Sequence, residues 1–469
     1  MQSSARFPVV SDPEYQPLLA QIKGPLVWPG QPDYDEARRA LQGGIDRHPA
    51  LVVKALDAMD VQQVVNLARL SGLELAVRSG GHSAAAHSTT EGGILLDLCN
   101  LRDMHIDPQA QTLWAGPGLT AGEVVNALAG HGLALPLGDT ATVGLGGITL
   151  GGGIGYLVRK FGLTIDDLLA AELVTAEGEC LQVDPNNHPD LFWAIRGGGG
   201  NFGVITHFLF RVHPLEHVYG GMLVLPATPE SLSGFIKVAQ HAPDEVSTIA
   251  NVMIAPPMPF LPQKAHGELI IMAMMMYSGD PRDGEAAFAP FRQLVDPHPP
   301  LADMLRPMRY PEIYPPEEAA SQSGPPCISM RTLFLDSLDE QTAALVVGGL
   351  RISTGALMTI AQFRVLGGAM SRVPVEATAF AHRNSRIMAQ ILALYPDPAA
   401  AHVHETWVSD LAAALQQGDP GRYVNFLGPS AESEVRAAYP NGAWERLQSI
   451  KSRYDPSNLF RLNQNIPPK

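Results

Sequence analysis

The sequence predicts an α+β protein of two domains, because its glycines and prolines divide the 469 residues into two zones. The glycines concentrate at Gly80–Gly81, Gly144–Gly155 and Gly197–Gly203, whereas the prolines concentrate at Pro256–Pro326. From about Leu215, long extended apolar segments predict an antiparallel sheet with flanking helices. A chain of this length with 46% hydrophobic residues can bury a core in each domain.

Composition and charge favour chemistry on small molecules. The net charge of -15 and the isoelectric point near 5.4 disfavour nucleic acid or an anionic membrane as partners, since like charges repel. We find no signal-peptide pattern in Met1–Leu18, and no apolar run of the roughly 20 residues that a bilayer requires, so we expect a cytoplasmic protein. Cys99, Cys180 and Cys327 lie far apart without CxxC spacing, which disfavours a disulfide framework or thiolate metal site.

The first zone opens with a predicted strand, helix and strand. Ala50–Leu56 predicts the first strand, and apolar residues at helical spacing follow it. Asp60 and Gln63 predict a capping box at the start of the helix, and Gly72 predicts its end. The second strand is predicted at Leu73–Val77, so the loop that follows leaves a strand end, where ligands commonly bind.

That loop has the sequence Arg-Ser-Gly-Gly-His and ends at His82. Gly80 and Gly81 let the backbone approach a ligand closely, so we expect the imidazole to contact a ligand rather than fill a core. Glycine-rich turns also present successive backbone N–H groups that bind anions such as a pyrophosphate. The glycine clusters therefore suit a dinucleotide cofactor in an acidic protein.

A Rossmann fingerprint does not explain the cofactor site. The glycines of Gly198–Gly203 match GxGxxG, but they follow a predicted helix at Pro189–Ile195 and precede a predicted strand at Val204–Val212. A dinucleotide fingerprint needs the reverse order, strand then helix.

The second zone contributes extended segments and a terminal helix. Met222–Leu225, Glu268–Met276 and Leu357–Val365 predict strands of one antiparallel sheet. Trp444–Tyr454 predicts an amphipathic helix, which Pro456 stops and which we expect to return to the first zone.

Six motifs occur in order along the chain. They are Arg78–His82, Thr142–Gly153, Arg159–Leu163, Asp190–Gly203, Tyr423–Phe426 and Tyr454–Phe460. The set resembles the berberine bridge enzyme-like flavin-linked oxidases of the vanillyl-alcohol oxidase superfamily. The resemblance implies a two-lobed PCMH-type FAD-binding domain made of residues 1–214 and a C-terminal segment, 421–469, and a substrate-binding domain at 215–420.

The resemblance implies FAD as the cofactor, bonded covalently through its 8α-methyl carbon to His82. A free imidazole with a pKa near 6.5 is mostly neutral at cytoplasmic pH, as a nucleophile must be. The other cofactor-binding residues that the motifs imply are Arg78, Ser79, Gly80, Gly81, Ser83, Thr142, Val143, Gly144, Gly147, Gly152, Gly153, Gly155, Gly203, Val204, Ile205 and Asn425.

Two positions refine this expectation. Thr140 stands where many relatives carry a second, cysteine link to the flavin, so we expect a single attachment. Val143 stands where relatives with valine tend to react with dioxygen, which favours an oxidase that forms hydrogen peroxide. A flavin-dependent dehydrogenase remains the alternative, because packing alone also explains a valine in such a segment.

The substrate is expected to be a small or medium alcohol or amine. In similar enzymes the tyrosine at the position of Tyr423 lies at the flavin face, where it acts as a base or orients the substrate. A free phenol titrates near 10, so a base needs favourable neighbours. Ile154 replaces a tyrosine that relatives often carry there, with Tyr156 two positions later, which disfavours a tyrosine-pair mechanism. Gln390 is a candidate substrate contact, with solvent exposure as the alternative.

Other classes of function rest on weaker features. His402, His404 and Glu405 would suit a zinc site on a strand, as in a metal-dependent hydrolase, but the segment also fits the start of a helix. We expect no metal there. A noncatalytic flavin-binding protein on the same scaffold is the remaining alternative, which Ile154 keeps open.

Overall fold

A computed structural model describes residues 10, 12–314, 325–352, 355–418 and 420–469. The helices up to residue 214 are α1 Gln16–Leu19, α2 Tyr34–Arg38, α3 Ala58–Ser71, α4 Ala121–Ala129, α5 Leu145–Gly151 and α6 Pro189–Ala194. The strands are β1 Leu26–Val27, β2 Leu51–Lys54, β3 Leu75–Arg78, β4 Ile94–Asp97, β5 Met104–Asp107, β6 Thr112–Ala115, β7 Leu133–Ala134, β8 Leu168–Val174, β9 Cys180–Val183, β10 Val204–Arg211 and β11 His213–Pro214.

The first sheet has the strand order β1-β2-β4-β3, in which β2 and β3 both run parallel to β4. Helix α3 connects β2 to β3 and buries its apolar side against them. It ends at Gly72, whose φ of 70° is the left-handed conformation that favours glycine, as predicted. The loop that carries His82 begins where β3 ends.

The start of α3 differs from the prediction. Its N-cap is Asp57, whose carboxylate accepts the backbone N–H of Asp60 at 3.0 Å. Asp60 is buried within the first turn, and its carboxylate accepts the backbone N–H groups of Lys23, Gly24 and Leu56. The capping box at Asp60 is therefore wrong, because this carboxylate binds backbone from neighbouring segments instead.

The second sheet is antiparallel, with the order β5-β6-β10-β8-β9. The glycines of Gly198–Gly203 lie between helix α6 and strand β10. This order is the reverse of a Rossmann unit, as the sequence indicates.

The remaining elements begin at His217. The strands are β12 His217–Pro226, β13 Val246–Ile254, β14 Leu269–Tyr277, β15 Ala302–Asp303, β16 Arg306–Arg309, β17 Cys327–Leu335, β18 Met358–Val365 and β19 Ile387–Tyr395. The helices are α7 Pro229–His241, α8 Gly284–Arg292, α9 Glu340–Leu350, α10 Ala369–Arg372, α11 Ala401–Leu415, α12 Glu432–Ala437 and α13 Ala443–Tyr454.

Strands β12 to β19 form one antiparallel sheet, as predicted for the second zone. The order is β15-β12-β14-β13-β18-β19-β17, with β16 also paired to β12. Residues of α7, α8, α9 and α11 pack on one face of this sheet to form a large core. The other face points towards the glycine-rich loops of the first zone. Within the described residues, no helix is long and apolar enough to cross a membrane.

The C-terminal helix α13 returns to pack against α6, as predicted. Its Lys451 is fully buried, and the ammonium group donates hydrogen bonds to Asp455 at 2.6 Å and to the carbonyls of Asn201 and Phe460. Asp455 also accepts the backbone N–H groups of Leu459 and Phe460. This buried pair fixes the C-terminal segment beside the loop that contains Asn201.

Replacing Asp455 with asparagine is expected to lower the free energy of unfolding by about 3 kcal/mol, because it leaves the buried Lys451 ammonium without its counter-ion. Chemical denaturation of both proteins would measure the difference. As a matched control, Glu445→Gln breaks an exposed ion pair with Arg436 in the same region and should cost less than about 1 kcal/mol. Equal losses in the two variants would contradict a stabilising role for the buried pair.

Candidate active site

A cavity of about 430 Å³ lies between the glycine-rich loops and the large antiparallel sheet. Fourteen of the residues predicted to bind cofactor or substrate line it: Ser79, Gly80, Gly81, His82, Ser83, Val143, Gly144, Gly147, Gly203, Val204, Ile205, Gln390, Tyr423 and Asn425. Thr140 and Ile154 line it as well. Predicted residues as far apart in the chain as Ser79 and Asn425, 346 positions, therefore meet at one site.

Two loops cross at the cavity wall with their backbones in contact. A Cβ atom built on Gly144 would lie 2.1 Å from the backbone nitrogen of Gly80, and one built on Gly80 would lie 2.2 Å from that of Gly144. The Ser79 hydroxyl secures the crossing, since it donates to the carbonyl of Pro117 at 2.6 Å and accepts the N–H of Gly146 at 3.2 Å. Only glycine lets the two backbones come this close, because any side chain at Gly80 or Gly144 would collide with the opposite loop. Both loops therefore lie side by side at the cavity wall.

His82 lies on the wall of the cavity, with its ring accessible from the cavity space. The surrounding protein atoms lower the pKa of the ring, because burial disfavours its charged form, while a hydrogen bond to the backbone of Thr142 acts in the opposite direction. The imidazole is therefore neutral near pH 7. An N–H that donates to a carbonyl leaves the other ring nitrogen with a free lone pair.

Tyr423 is buried beside the third glycine cluster. Its hydroxyl oxygen accepts the N–H of Gly153 at 3.0 Å and the side-chain amide of Asn425 at 3.1 Å. Burial raises the pKa of Tyr423, whereas these two donors and the positive charge of Arg364 lower it. The phenol is thus held rigidly, with two hydrogen-bond donors that would stabilise its ionised form.

An ion pair links the two sides of the cavity. Asp139 lines the cavity and pairs with Arg364 of strand β18 at 2.5 Å. The guanidinium group lies 5.0 Å from the ring centre of Phe426, which in turn packs edge-to-face on Tyr423 at 5.1 Å. The positive charge of Arg364 therefore lies close enough to the buried phenol to lower the pKa of Tyr423.

Gln390 lines the cavity from strand β19 and is only 6% exposed. The alternative interpretation, solvent exposure, is therefore wrong. Its side-chain amide lies 3.5 Å from the sulfur of Met330, a weak hydrogen-bond acceptor. The amide is left with capacity to bind a ligand.

Five predicted cofactor-binding residues do not line the cavity: Arg78, Thr142, Gly152, Gly153 and Gly155. The guanidinium group of Arg78 instead pairs with Asp97 at 2.6 Å and donates to the carbonyl of Arg39. Gly153 uses its N–H for Tyr423, and a Cβ built on Gly155 would lie 1.8 Å from the carbonyl oxygen of Leu137. These residues support the wall of the cavity from behind.

The predicted site residues did not include several residues that line the cavity, among them His87, Ser88, Asp139, Asn201, Asn463 and Gln464. The hydroxyl of Ser88 and the side-chain oxygen of Asn463 are buried without a hydrogen-bond partner among the described residues. Burial and the charge of Arg47 lower the pKa of His87 to about 4, so this second imidazole in the wall is neutral. Asn201 lies inside the motif Asp190–Gly203, whereas the other five residues carry no sequence signal beyond nearness to a motif.

The histidine cluster of the second zone lies elsewhere, on helix α11. The strand interpretation of His402 and His404 is wrong, because both residues lie on a helix. Side chains that are two positions apart on a helix point in different directions, so the two rings do not converge on one metal. The ring of His404 stacks on Tyr395 at 4.2 Å, and Glu405 pairs with Arg331 at 3.0 Å. In the part of the chain that the structure describes, no three potential metal ligands come together.

Comparison with known proteins agrees with this geometry. A family model for an FAD binding domain matches residues 49–184, and a berberine and berberine-like model matches residues 422–467. Over 96% of its length the chain is 29% identical to an FAD-linked oxidoreductase of Bacillus subtilis, YgaK, and covers 98% of that protein. It is 28% identical to the (R)-6-hydroxynicotine oxidase of Paenarthrobacter nicotinovorans, over 96% of this chain and 97% of the relative.

The chain is an FAD-linked oxidoreductase that resembles the berberine bridge enzyme-like family. The crystal structure of 6-hydroxy-D-nicotine oxidase from Arthrobacter nicotinovorans superimposes on it with a TM-score of 0.84 and 26% identity, covering 97% of this chain and 99% of that one. The PCMH-type fold with two lobes is thereby confirmed, and the two family models fall on the two chain ends that line the cavity. The relatives that match nearly the whole chain are named as an oxidoreductase and an oxidase, which argues against both the metal-dependent hydrolase and the noncatalytic binding protein.

Proposed function

We propose that this protein is an oxidase that carries FAD on a single covalent bond to His82 and oxidises a neutral alcohol or amine. The observation that supports the bond is the position of His82, a neutral ring in the wall of the cavity. Thr140 occupies the same wall and offers a hydroxyl where a thiolate would be needed for a second bond. The FAD-binding domain would comprise residues 1–214 and 421–469, and the substrate domain 215–420.

The residues of the cavity fit a dinucleotide. Cβ atoms built on Gly147 and Gly200 would meet no protein atom within 4 Å, so both glycines border open space. The unpartnered polar atoms of Ser88 and Asn463 offer hydrogen bonds to a polar ligand. When bound, FAD supplies the two-electron redox chemistry that no side chain in this cavity provides.

The side chains of the cavity have separate roles in this proposal. The ionised form of Tyr423 takes the proton from the substrate hydroxyl or amine and becomes a neutral phenol, and the hydrogen bonds from Gly153 and Asn425 stabilise the phenolate before the transfer. Gln390 binds the substrate from the sheet on the opposite side. Phe426 and Ile154 add apolar side chains to the cavity wall, which would help to exclude water from the reacting atoms.

Gly147→Ala tests the cofactor position in particular. The new methyl group would meet no protein atom, so the fold should keep its stability while FAD uptake falls at least tenfold, because the methyl group occupies ligand space. Uptake is measured as flavin absorbance per protein. Gly348→Ala is the control, since this glycine also borders open space but lies on α9, away from the cavity. Normal FAD uptake by Gly147→Ala would contradict the proposed position.

The reaction is tested by anaerobic reduction with panels of alcohols and amines, followed by admission of oxygen. We expect a substrate to bleach the flavin absorbance and oxygen to restore it with formation of hydrogen peroxide. Val143 lines the cavity, so Val143→Leu is expected to slow reoxidation at least tenfold and leave bleaching unchanged, because the larger side chain fills space that oxygen would use. Reoxidation that is slow in the unsubstituted protein would favour a dehydrogenase instead.

A further inference from the structure

Strand register divides the cavity-facing side of the large sheet into rows. Directly opposed residues of antiparallel strands place their side chains on the same face of a sheet. The innermost row contains Arg364, which pairs in register with Met388 of β19, itself opposite Phe334 of β17. Arg364 forms the ion pair with Asp139 of the opposite lobe, so this row is closed by protein.

The next row is polar. It consists of Thr332, Gln390, Gln362 and Asn251, which lie opposite one another across four adjacent strands. We call these four residues the polar row. Gln390 lines the cavity, and the amide of Gln362 donates to the side-chain oxygen of Asn251 at 2.7 Å.

Two hydrogen-bonding atoms of the polar row have no partner in the part of the chain that the structure describes. The first is the hydroxyl of Thr332, a residue that is only 1% exposed. The second is the side-chain oxygen of Gln362. Unsatisfied buried polar atoms are costly, so they are retained mainly where a ligand or water completes them. The polar row therefore has hydrogen-bonding capacity that the protein alone does not use.

The rows beyond are wholly apolar. They consist of Ile328, Met330, Leu392, Leu394, Ile360 and Met358, again in register across β17, β19 and β18. We call these six residues the apolar floor. Ile328 and Met330 line the cavity, so the floor is continuous with it.

The apolar floor is incompletely covered. All six side chains are of intermediate exposure, whereas the opposite face of the same strands is buried under helices. None of the six carries charge or a hydrogen-bonding group other than the weak thioether acceptors of methionine. Thioethers adapt their shape to varied apolar ligands.

We propose that the polar row and the apolar floor together bind the substrate, which is a neutral molecule with one hydrogen-bonding head and an extended apolar body. The inference rests on the proposed oxidase function and names its substrate class. The head, a hydroxyl or carbonyl group, binds Gln390, and the body lies along the floor through Met330 and Leu392. A sugar would place several hydroxyls on a surface that offers them no partner, and an ionic body would lose its hydration without a counter-charge.

A series of linear primary carboxamides from four to ten carbons tests this without turnover, because a carboxamide presents both a donor and an acceptor to Gln390 and resists oxidation. Affinity is measured from perturbation of the flavin spectrum and, independently, from the shift in thermal unfolding of the protein. We expect affinity to increase about two- to fourfold for each added methylene. Affinity that does not change with length, or that is higher for a mono- or disaccharide of similar size, would overturn the inference.

Amino-acid substitutions distinguish the residues that bind the head of the ligand from those that bind its apolar body. Gln390→Leu should lower the affinity of every carboxamide by a similar factor, roughly tenfold, and keep the dependence on length. Ile360→Lys should abolish the dependence on length, and Met358→Gln, which preserves shape, should weaken it if Ile360→Lys fails to fold. Leu70→Lys, at an exposed position on α3, is the control and should leave the whole series unchanged. A length dependence that survives both floor variants contradicts the assignment.

The two proposals can fail independently. If the flavin is bound through His82 and reduced by a substrate, but carboxamide affinity ignores chain length, only the substrate class is wrong. If carboxamides stabilise the protein with the expected length dependence, but no flavin is attached, the oxidase proposal is wrong.

Discussion

Replacing His82 with alanine is expected to yield protein whose flavin is released completely by acid precipitation, whereas the unsubstituted protein keeps its yellow colour in the pellet. The alanine side chain has no ring nitrogen to form the bond, although the other residues of the cavity remain to bind FAD reversibly. Intact mass after denaturation measures the result as the presence or absence of one FAD per chain. Turnover by the variant should fall by at least tenfold, since we expect a covalent bond to the flavin ring to raise its reduction potential and so to favour its reduction by substrate.

His87→Ala is the matched control for the attachment. This second imidazole also lines the cavity and is also neutral, but it is not proposed to bond the flavin. Its variant should retain the full mass of attached FAD. If attached flavin disappears from the His87 variant and survives in the His82 variant, the assignment is reversed.

The attachment should also depend on pH in a defined direction. The nucleophile is the neutral ring, and partial desolvation by the surrounding cavity wall lowers the pKa of His82 below its usual 6.5. The ring is therefore neutral at pH 7 and remains so to a lower pH than a free histidine. We expect the rate of attachment during refolding with FAD to be constant at neutral and alkaline pH and to fall only at a pH below the usual 6.5 of a free imidazole.

Replacing Tyr423 with phenylalanine is expected to slow reduction of the flavin by substrate by about 10² to 10⁴-fold. The variant removes the oxygen that accepts hydrogen bonds from Gly153 and Asn425, and with it the proposed proton acceptor. Stopped-flow bleaching under anaerobic conditions measures this step apart from the reaction with oxygen. Tyr439→Phe is the control, because this buried phenol bonds the carbonyl of Gly197 outside the cavity lining and should not affect the rate.

The pH dependence distinguishes a base from an orienting group. Burial holds the pKa of Tyr423 above 10, so only a small fraction of the phenol is ionised at neutral pH. If the phenolate is the base, the reduction rate of the unsubstituted protein should rise about tenfold per pH unit between pH 7 and 9 for an uncharged alcohol. Tyr423→Phe should lose this rise. A flat profile in both proteins, with weaker substrate binding in the variant, would mean that Tyr423 orients the substrate.

The local elements of the first zone could be predicted because their signals lie within a few residues. The strand before His82, the left-handed glycine at Gly72 and the helix before the glycines of Gly198–Gly203 all follow from local pattern and turn chemistry. The start of α3 was mispredicted because both Asp57 and Asp60 fit a cap, and only the approach of Lys23 and Gly24 decides which carboxylate is buried.

The parts of the site that depend on tertiary contact could not be predicted. Asp139 and Arg364 form their ion pair across 225 positions of sequence, and neither belongs to a motif. Arg78 is part of the motif but turns its guanidinium group towards Asp97, which only the pairing of β3 with β4 places there. The polar row and the apolar floor form only because the four strands pair in one particular register, and the residue pattern of each strand alone does not determine that register.

Peptide mapping of the unsubstituted protein tests the central claim most directly. After refolding with excess FAD, denaturation and exhaustive washing, the protein is digested and its fragments are analysed by mass spectrometry. We expect one flavin-bearing fragment, which contains His82, and fragmentation that places the added mass on that residue. A digest in which the fragment with His82 has only its peptide mass, or in which the flavin is attached to another residue, would contradict the account.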